Sequence, residues 1–364
     1  MRTGVPRRES LSVLRPGLVV PVLWVAATLS LVAQTKPGAT LCGRVVDRDT
    51  GVPVGFANVF LSNTTFGKAS DKNGQYVITG VPAGSYQVVA SCVGYEVGVS
   101  TQRCAGSESL RVDFALRPRA LPQDEIQVEA RDPSRWRDMY EEFEEQFIGT
   151  SRFSSSCKVL NPWVVNLDIS EGTQILWGAT DSTIRIENSA LGYRLFVLLD
   201  TFEYNRTTEA LRYLVYPRFE EMTPHDKEED ERWQSNREES YRGSCRHFFK
   251  ALFEGRTEEE GFSVHSGSFQ RLQNEGGYSL GTEDLREMVQ AGIGLYRQLW
   301  FTGYLRVDYR GRKNYIRLED QAVSFDASGN FLEPFALTAL TQSAWAEDRM
   351  ARLLPNNYES RAGQ

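Results

Sequence analysis

The sequence predicts a mainly β protein: a small antiparallel β-sandwich followed by an α+β domain with an antiparallel sheet. Three observations predict it. Between Leu41 and Leu116 short apolar runs recur about every ten residues, and each gap holds Gly, Pro, Asn or Asp, which is the rhythm of a sandwich. The last run alternates. Leu110, Val112, Phe114 and Leu116 point one way and Arg111, Asp113 and Arg117 the other, as in an antiparallel strand with one wet face. Beyond it, Trp136, Met139, Tyr140, Phe143, Phe147 and Ile148 keep a helical period and open a stretch of further strand-like runs.

Residues 1–34 read as an export signal. Arg2, Arg7, Arg8 and Arg15 outweigh Glu9, an apolar run follows from Leu18 to Val32, and Ala33-Gln34 offers a small-residue cleavage site. The alternative is a membrane anchor, but the run is shorter than the roughly 20 residues of a span and Pro21 shortens it further. The chain carries 41 basic and 48 acidic side chains, and cleavage leaves 37 against 47, a net charge of −10. That acidity argues against nucleic acid as a partner. The five cysteines are Cys42, Cys92, Cys104, Cys157 and Cys245. In an exported chain Cys92 and Cys104 could bridge, as could Cys157 and Cys245, or all could be small buried hydrophobes. No pair has zinc-site spacing, and His225, His247 and His265 stand apart, so no metal or cofactor is expected.

The first domain spans 40–118. Tyr86, Val88, Ala90 and Cys92 form a second alternating row. Asp71-Lys72-Asn73-Gly74 reads as a hairpin turn, with Asp and Asn bonding their own backbone and Gly supplying a positive φ. A calcium loop would need several more oxygens and a distal Glu. The ordered series Gly43-Arg44-Val45-Val46-Asp47, Thr50-Gly51-Val52-Pro53, Ala57-Asn58-Val59, Asp71 to Tyr76, Gly80-Val81-Pro82-Ala83-Gly84-Ser85-Tyr86 and Val93-Gly94-Tyr95-Glu96 resembles the carboxypeptidase regulatory-like domain. The resemblance implies a seven-stranded prealbumin-like β-sandwich. It also implies a module without catalytic residues, of the kind found beside carboxypeptidase domains and at the start of outer-membrane receptors.

A linker follows at 119–133, in which Ile126-Gln127-Val128 is one more extended piece, and the second domain runs over 134–360. What remains is too short for a receptor barrel. Ser134 is expected to cap the first helix and Gly149 to end it. Strands are expected over Trp163 to Ile169, Thr173 to Trp177, Thr183 to Glu187, Tyr193 to Tyr204, Ala210 to Phe219, Trp300 to Tyr309 and Tyr315 to Phe325. A solvated helix should cover Asp226 to Glu239, a short helix Ser244 to Glu254, and the chain closes on an amphipathic tail with Trp345, Met350, Leu353 and Leu354. The series Cys157 to Pro162, Ile186-Glu187-Asn188, Leu191-Gly192-Tyr193, Tyr241 to Phe248 and Leu353 to Tyr358 resembles exported two-domain proteins known by their carboxypeptidase-like regulatory domain. This second resemblance implies architecture and compartment, and no reaction.

Gly277-Tyr278-Ser279-Leu280-Gly281 matches G-x-S-x-G, but mostly polar residues precede it and no His follows His265, against the order of a hydrolase. Ser155-Ser156-Cys157-Lys158 matches S-x-x-K without a Lys-Thr-Gly element, and no H-x-x-E or H-E-x-x-H is present. Two clusters are candidate ligand sites. In Tyr241 to Phe248, Arg242, Arg246 and His247 could meet an acidic ligand. In Arg297 to Arg317, Arg310, Arg312, Lys313 and Tyr315 belong to a basic, aromatic stretch turning at Arg310-Gly311-Arg312 that could grip an anionic glycan or a lipid head group. In each case helix capping or the outer face of a hairpin is the plainer account. The chain therefore reads as a non-catalytic envelope binding or structural protein, in the periplasm or at the outer-membrane periphery of a Gram-negative-type envelope. An envelope glycan or an outer-membrane protein is the expected partner, and peripheral membrane association is compatible with it. The alternative is a hydrolase with its site in the second domain.

Overall fold

Alternate burial along Ala39–Asp47 (β1) places Leu41 and Val45 inside and Arg44 outside, so one face of this strand seeds a core. The computed structural model describes residues 38–119, 133–170, 172–180, 182–268, 278–292, 295–333, 336–340 and 343–360. The expected export signal, the Ile126 to Val128 piece and Gly277 lie outside the described residues. Seven further segments complete the sandwich: β2 (Asn58–Leu61), β3 (Gly67–Ala69), β4 (Gln75–Val81), β5 (Gly84–Ser91), β6 (Gly98–Cys104), β7 (Ser109–Arg111) and β8 (Phe114–Leu116). One sheet is ordered β4-β1-β7, with β8 also on β1, and the other is β3-β2-β5-β6. Leu41, Val45, Ile78, Phe114 and Leu116 of the first sheet meet Val59, Leu61, Val88 and Ala90 of the second.

Two expectations for this region need correction. The alternating run Leu110 to Leu116 pairs with β1 in parallel, not antiparallel, through Leu41↔Leu110 and Val45↔Phe114. Alternation reports half-burial, and a parallel edge strand with one wet face shows it equally well. The run also breaks at Val112-Asp113, where Val112 N–H donates to Cys42 O at 2.8 Å and Arg44 N–H donates to Asp113 Oδ1 at 2.8 Å. Glycine is required opposite this break, because a Cβ on Gly43 would sit 1.9 Å from Val112 O. The Asp71 to Gly74 turn has the expected chemistry: Asp71 Oδ1 accepts from Asn73 and Gln75 N–H, both at 2.8 Å, and Gly74 has φ 74°. It joins β3 to β4, however, which lie in different sheets, so it is a corner and not a hairpin.

The second half opens with α1 (Pro133–Ile148). It begins at Pro133, whose missing N–H suits a first helical position, so Ser134 lies inside the first turn and does not cap it. Gly149 at φ 91° ends it as expected. Its apolar stripe covers a sheet made of β9 (Cys157–Val159), β10 (Val165–Ser170), β11 (Ile175–Thr180), β12 (Ile184–Asn188), β13 (Tyr193–Asn205) and β14 (Leu211–Glu221), with Phe143 edge-on to Phe202 at 4.8 Å. All pairings in this sheet are antiparallel. Trp163, expected in a strand, is in a 3-10 turn and exposed, and β10 starts after it.

Next come α2 (Lys227–Tyr241) and α3 (Cys245–Glu254), then β15 (Phe262–Gly267), β16 (Tyr278–Leu280), α4 (Thr282–Met288), β17 (Val289–Ala291), β18 (Arg297–Leu299), β19 (Tyr304–Tyr309), β20 (Arg312–Leu318), β21 (Val323–Phe325), β22 (Leu337–Ala339) and α5 (Ala344–Glu347). They form two more antiparallel sheets, β16-β15-β19-β20-β22 and β17-β18-β21. The expected strand Trp300 to Tyr309 is strand only from Tyr304, after a turn at Gly303, φ 75°, and Tyr315 to Phe325 is split between β20 and β21, in different sheets, by a turn at Glu319 to Gln321. Phe248, Phe249 and Leu252 of α3 pack on these sheets with Trp345, as the short apolar helix leads one to expect. All five cysteines are unpaired, and Cys104 is buried. No described helix is long and apolar enough to cross a membrane.

Candidate functional site

The turn between α2 and α3 is built by capping. Asp226 accepts from Glu229 N–H at 2.8 Å to start α2, and Glu228, Glu229 and Asp230 in its first turn complement the helix dipole. The expected solvated helix has one buried face: Trp233, Arg237, Ser240 and Tyr241. Trp233 Nε1 donates to Ser189 O at 2.8 Å, and Arg237 donates to Leu191 O at 2.7 Å with its guanidinium 4.0 Å from the Tyr193 ring. Gly243, at φ 73°, then reverses the chain against the Tyr309 ring, where a Cβ would lie 2.3 Å from Cδ1. Ser244 caps α3, accepting from His247 N–H at 3.1 Å.

The three polar candidates in this turn have separate fates. Arg242 donates to Glu238 at 2.6 Å. Burial alone would raise the Glu238 pKa, but hydrogen bonds from Ser360, Arg242 and Tyr358 hold it below the ordinary value. His247 is buried; its Nδ1 accepts from Gly243 N–H at 3.0 Å, so Nε2 carries the proton and faces Glu260 at 3.3 Å. Burial holds its pKa below the usual histidine value despite Glu260. Arg246 reaches the far end of the chain. Nε donates to Ser328 O at 3.2 Å, Nη1 to Pro355 O at 2.8 Å, and Nη2 to Asn356 O at 2.5 Å and Tyr358 O at 3.0 Å. Burial lowers its pKa, and among the described residues no carboxylate contacts it.

Arg246 also lines a cavity of about 390 Å³. The wall is shared by Ser62 and Tyr86 of the sandwich, Tyr213 of β14, Ser240, Arg246 and Trp345. Arg352 and Asp348 stand on the same wall, with Arg352 Nε 2.9 Å from Asp348 Oδ1. Of the three candidates only Arg246 reaches this space; Arg242 and His247 do not. A wider cleft of about 1110 Å³ lies between the ends of β13 and β14 and the β20-β22 edge. Its charges have both signs, Arg212, Arg317 and Arg349 among Glu209, Glu319 and Glu347.

Part of the cavity wall belongs to a recognisable module. Residues 41–128 match the CarboxypepD_reg-like domain. No curated protein matches the chain. Among solved structures the chain is similar to a cohesin–X-dockerin complex of Acetivibrio cellulolyticus (21% identity, 21% of this chain and 53% of that one, TM-score 0.18). It is similar also to a minor pilin of Streptococcus agalactiae (18% identity, 24% and 46%, TM-score 0.19). A DUF3823 family protein of Parabacteroides merdae gives 10% identity over 50% and 81% of the two chains, with a TM-score of 0.18. The chain spans about half the length of the first two. The CarboxypepD_reg-like domain contributes its β2–β3 turn and the start of β5 to the site. Asn63 N–H donates to Pro217 O at 2.6 Å, Asn356 N–H to Asn63 O at 2.6 Å, and Asn357 Nδ2 to Thr65 Oγ1 at 2.8 Å. Phe60 and Val89 of its outer face pack on Leu198 and Tyr216.

The basic hairpin does turn at Arg310 and Gly311, φ 47° and 83°, with Tyr309 paired to Arg312. Its charged groups are paired within the fold. Arg312 Nη2 meets both oxygens of Asp348, at 3.0 and 3.1 Å, on the carboxylate that also holds Arg352. Arg306 is 3.1 Å from Asp308 and Arg317 2.8 Å from Glu319. Arg310 lies over the Tyr309 ring at 5.4 Å, Lys313 stands opposite Asp308, and Tyr315 is buried against Tyr304. An equal spacing of cations and aromatics in sequence does not reveal which carboxylates lie across the fold.

Sequence reasoning missed Ser240, Asp348 and Arg352. Ser240 had a signal: it continues the Trp233, Arg237, Tyr241 face of α2 at helical spacing. The other two depend on how the tail returns. It also set Ser279 aside, which in the structure stands directly opposite His265 on β15, and His265 Nε2 lies 3.5 Å from Asp308 Oδ2.

Proposed function

We propose that this chain is a non-catalytic binding protein of the cell envelope. On this reading it is exported by its N-terminal leader and sits in the periplasm or at the outer-membrane periphery, where the seam cavity takes part of an envelope glycan. The observation that carries the reading is the position of that cavity. It lies where the CarboxypepD_reg-like domain meets the second domain, the usual place for ligand sites, and combines aromatic walls with hydroxyl and amide groups. Arg242 and Arg312 donate to Glu238 and Asp348, and His247 Nδ1 accepts from Gly243 N–H, so these groups serve as parts of the fold. The test is retention of the chain from residue 35 on immobilised envelope polysaccharide. Saturable retention, lost when Gln87 on the cavity wall is replaced by Trp in a variant of unchanged melting temperature, supports the reading; absence of retention on any envelope fraction refutes it.

One observation favours the hydrolase alternative: Ser279 stands opposite His265, whose Nε2 lies 3.5 Å from Asp308, although the strand partner of His265 on β19 is Arg306. Against it, Ser279 is in extended backbone and not at the strained elbow that presents a nucleophile, and Nε2, the atom that would take the serine proton, faces Asp308. A fluorophosphonate probe should leave Ser279 unlabelled. Labelling that disappears in Ser279→Ala would establish a hydrolase in place of the binding protein.

A further inference from the structure

The seam cavity has an electrostatic sign. Among the described residues Arg246 and Arg352 line it against the single carboxylate of Asp348, an excess of one positive charge. Asp348 is shared further, since Arg312 also holds it, and Asp326, the other acid near Arg246, accepts from Ser328 and Asn330 N–H at 2.9 and 3.0 Å. The cavity also has unspent donors. Arginine carries five N–H groups; among the described residues Arg246 uses four of them on backbone carbonyls, which leaves one Nη1–H. The first-turn N–H groups of Cys245 and Arg246 precede any intrahelical acceptor, and α3 is ten residues long, so its positive dipole end adds to the field.

The independent observation is Ser240. It is 3% exposed, its Oγ has no hydrogen-bond partner, and it lines this cavity on the last turn of α2. A buried hydroxyl left without a partner costs stability, and a native chain keeps one where something else completes it. Ser240 shares this cavity wall with Arg246 and with Cys245 at the start of α3.

The geometry points to a carboxylate-binding subsite, formed by Ser240 Oγ, the spare Arg246 N–H and the first-turn amides of α3, that receives an acidic sugar with its ring against the aromatic wall. This rests on the glycan-binding reading above and narrows it to carboxylate-bearing saccharides. The donors number four, which matches the acceptor sites of one carboxylate, and the excess of one positive charge matches a monoanion better than a phosphate monoester carrying about −1.5 to −2. Tyr213, Tyr241 and Trp345 supply the apolar surface.

The experiment is calorimetric titration of the chain from residue 35 with glucuronic acid, glucose and inorganic phosphate, repeated on Ser240→Ala. That variant removes only an unpartnered hydroxyl and should fold with an unchanged or slightly higher melting temperature. Expected are saturable glucuronate binding, binding of glucose and phosphate weaker by about tenfold or more, and a loss of roughly five- to tenfold in glucuronate affinity for Ser240→Ala. Equal affinity for glucose and glucuronate, tighter binding of phosphate, or an unaffected Ser240→Ala would each overturn the carboxylate subsite while leaving the cavity a glycan site. Failure of all saccharides, together with no retention on envelope polysaccharide, would remove the glycan reading itself.

Discussion

His247 shows how one buried side chain ties local geometry to pH. Its Nδ1 accepts from Gly243 N–H across the α2–α3 turn, so a proton on that atom would break the bond that closes the turn. Burial favours the neutral ring and Glu260 offsets this only in part, which leaves the folded pKa below that of the unfolded chain, about 6.5. In the window between the two values the unfolded chain binds more protons than the folded one, so stability rises with pH there. The contribution is complete above about pH 6.5 and is lost as pH falls toward the folded pKa. His265, also held low by burial, acts in the same direction; exposed His225, raised by Glu229, acts in the opposite one. Denaturant midpoints measured between pH 7.5 and 5.5 should fall toward acid, and His247→Gln should flatten that fall. An equal slope in the variant would place the sensitivity elsewhere. The sequence made His247 and Arg246 visible as part of a dense polar–aromatic cluster, but not their roles. Those depend on Ser328 and on Pro355 to Tyr358, which lie far along the chain and carry no mark of their destination.

At the scale of the elements, legibility followed the range of the physics. Turns are local, so the backbone bonding of the Asp71 turn, the Arg310-Gly311 turn and the apolar stripes of α1 and α3 were readable from neighbours in sequence. Strand partners are not local. The parallel seating of β7 and β8 and the splitting of Tyr315 to Phe325 between two sheets both turn on contacts that alternation alone does not encode. Gly243 joins the two ranges. Its left-handed φ of 73° is a local requirement, while the Tyr309 ring fills the space a side chain would need. Gly243→Ala should therefore cost more than the ~1 kcal/mol of the backbone conformation alone, because the ring must also move. Thermal unfolding should show a loss of several degrees. A variant melting within a degree of the parent would mean that Tyr309 yields freely.

The whole molecule is held by its tail. The last described stretch returns from the second domain to the sandwich, with Asn356 and Asn357 bonded to Asn63 and Thr65, and gives Arg246 three of its four carbonyl acceptors. Two consequences follow for a chain cut after Leu354. Arg246 would keep only Ser328 O, leaving a deeply set cation largely unsatisfied, a loss of several kcal/mol by the usual cost of breaking a buried charge network. The sandwich would lose its hydrogen bonds with Asn356 and Asn357 while keeping its own core of Leu41, Val45, Val59, Val88 and Phe114. The full chain should unfold in one calorimetric transition, because the sandwich and the second domain share the seam. The truncated chain should show two, an early one for the second domain and a later one for the sandwich, and should lose the seam cavity with whatever ligand it binds. A single transition at an unshifted temperature after truncation would show that Phe60, Val89, Leu198 and Tyr216 suffice to couple the two halves, and that the tail serves only to close the site.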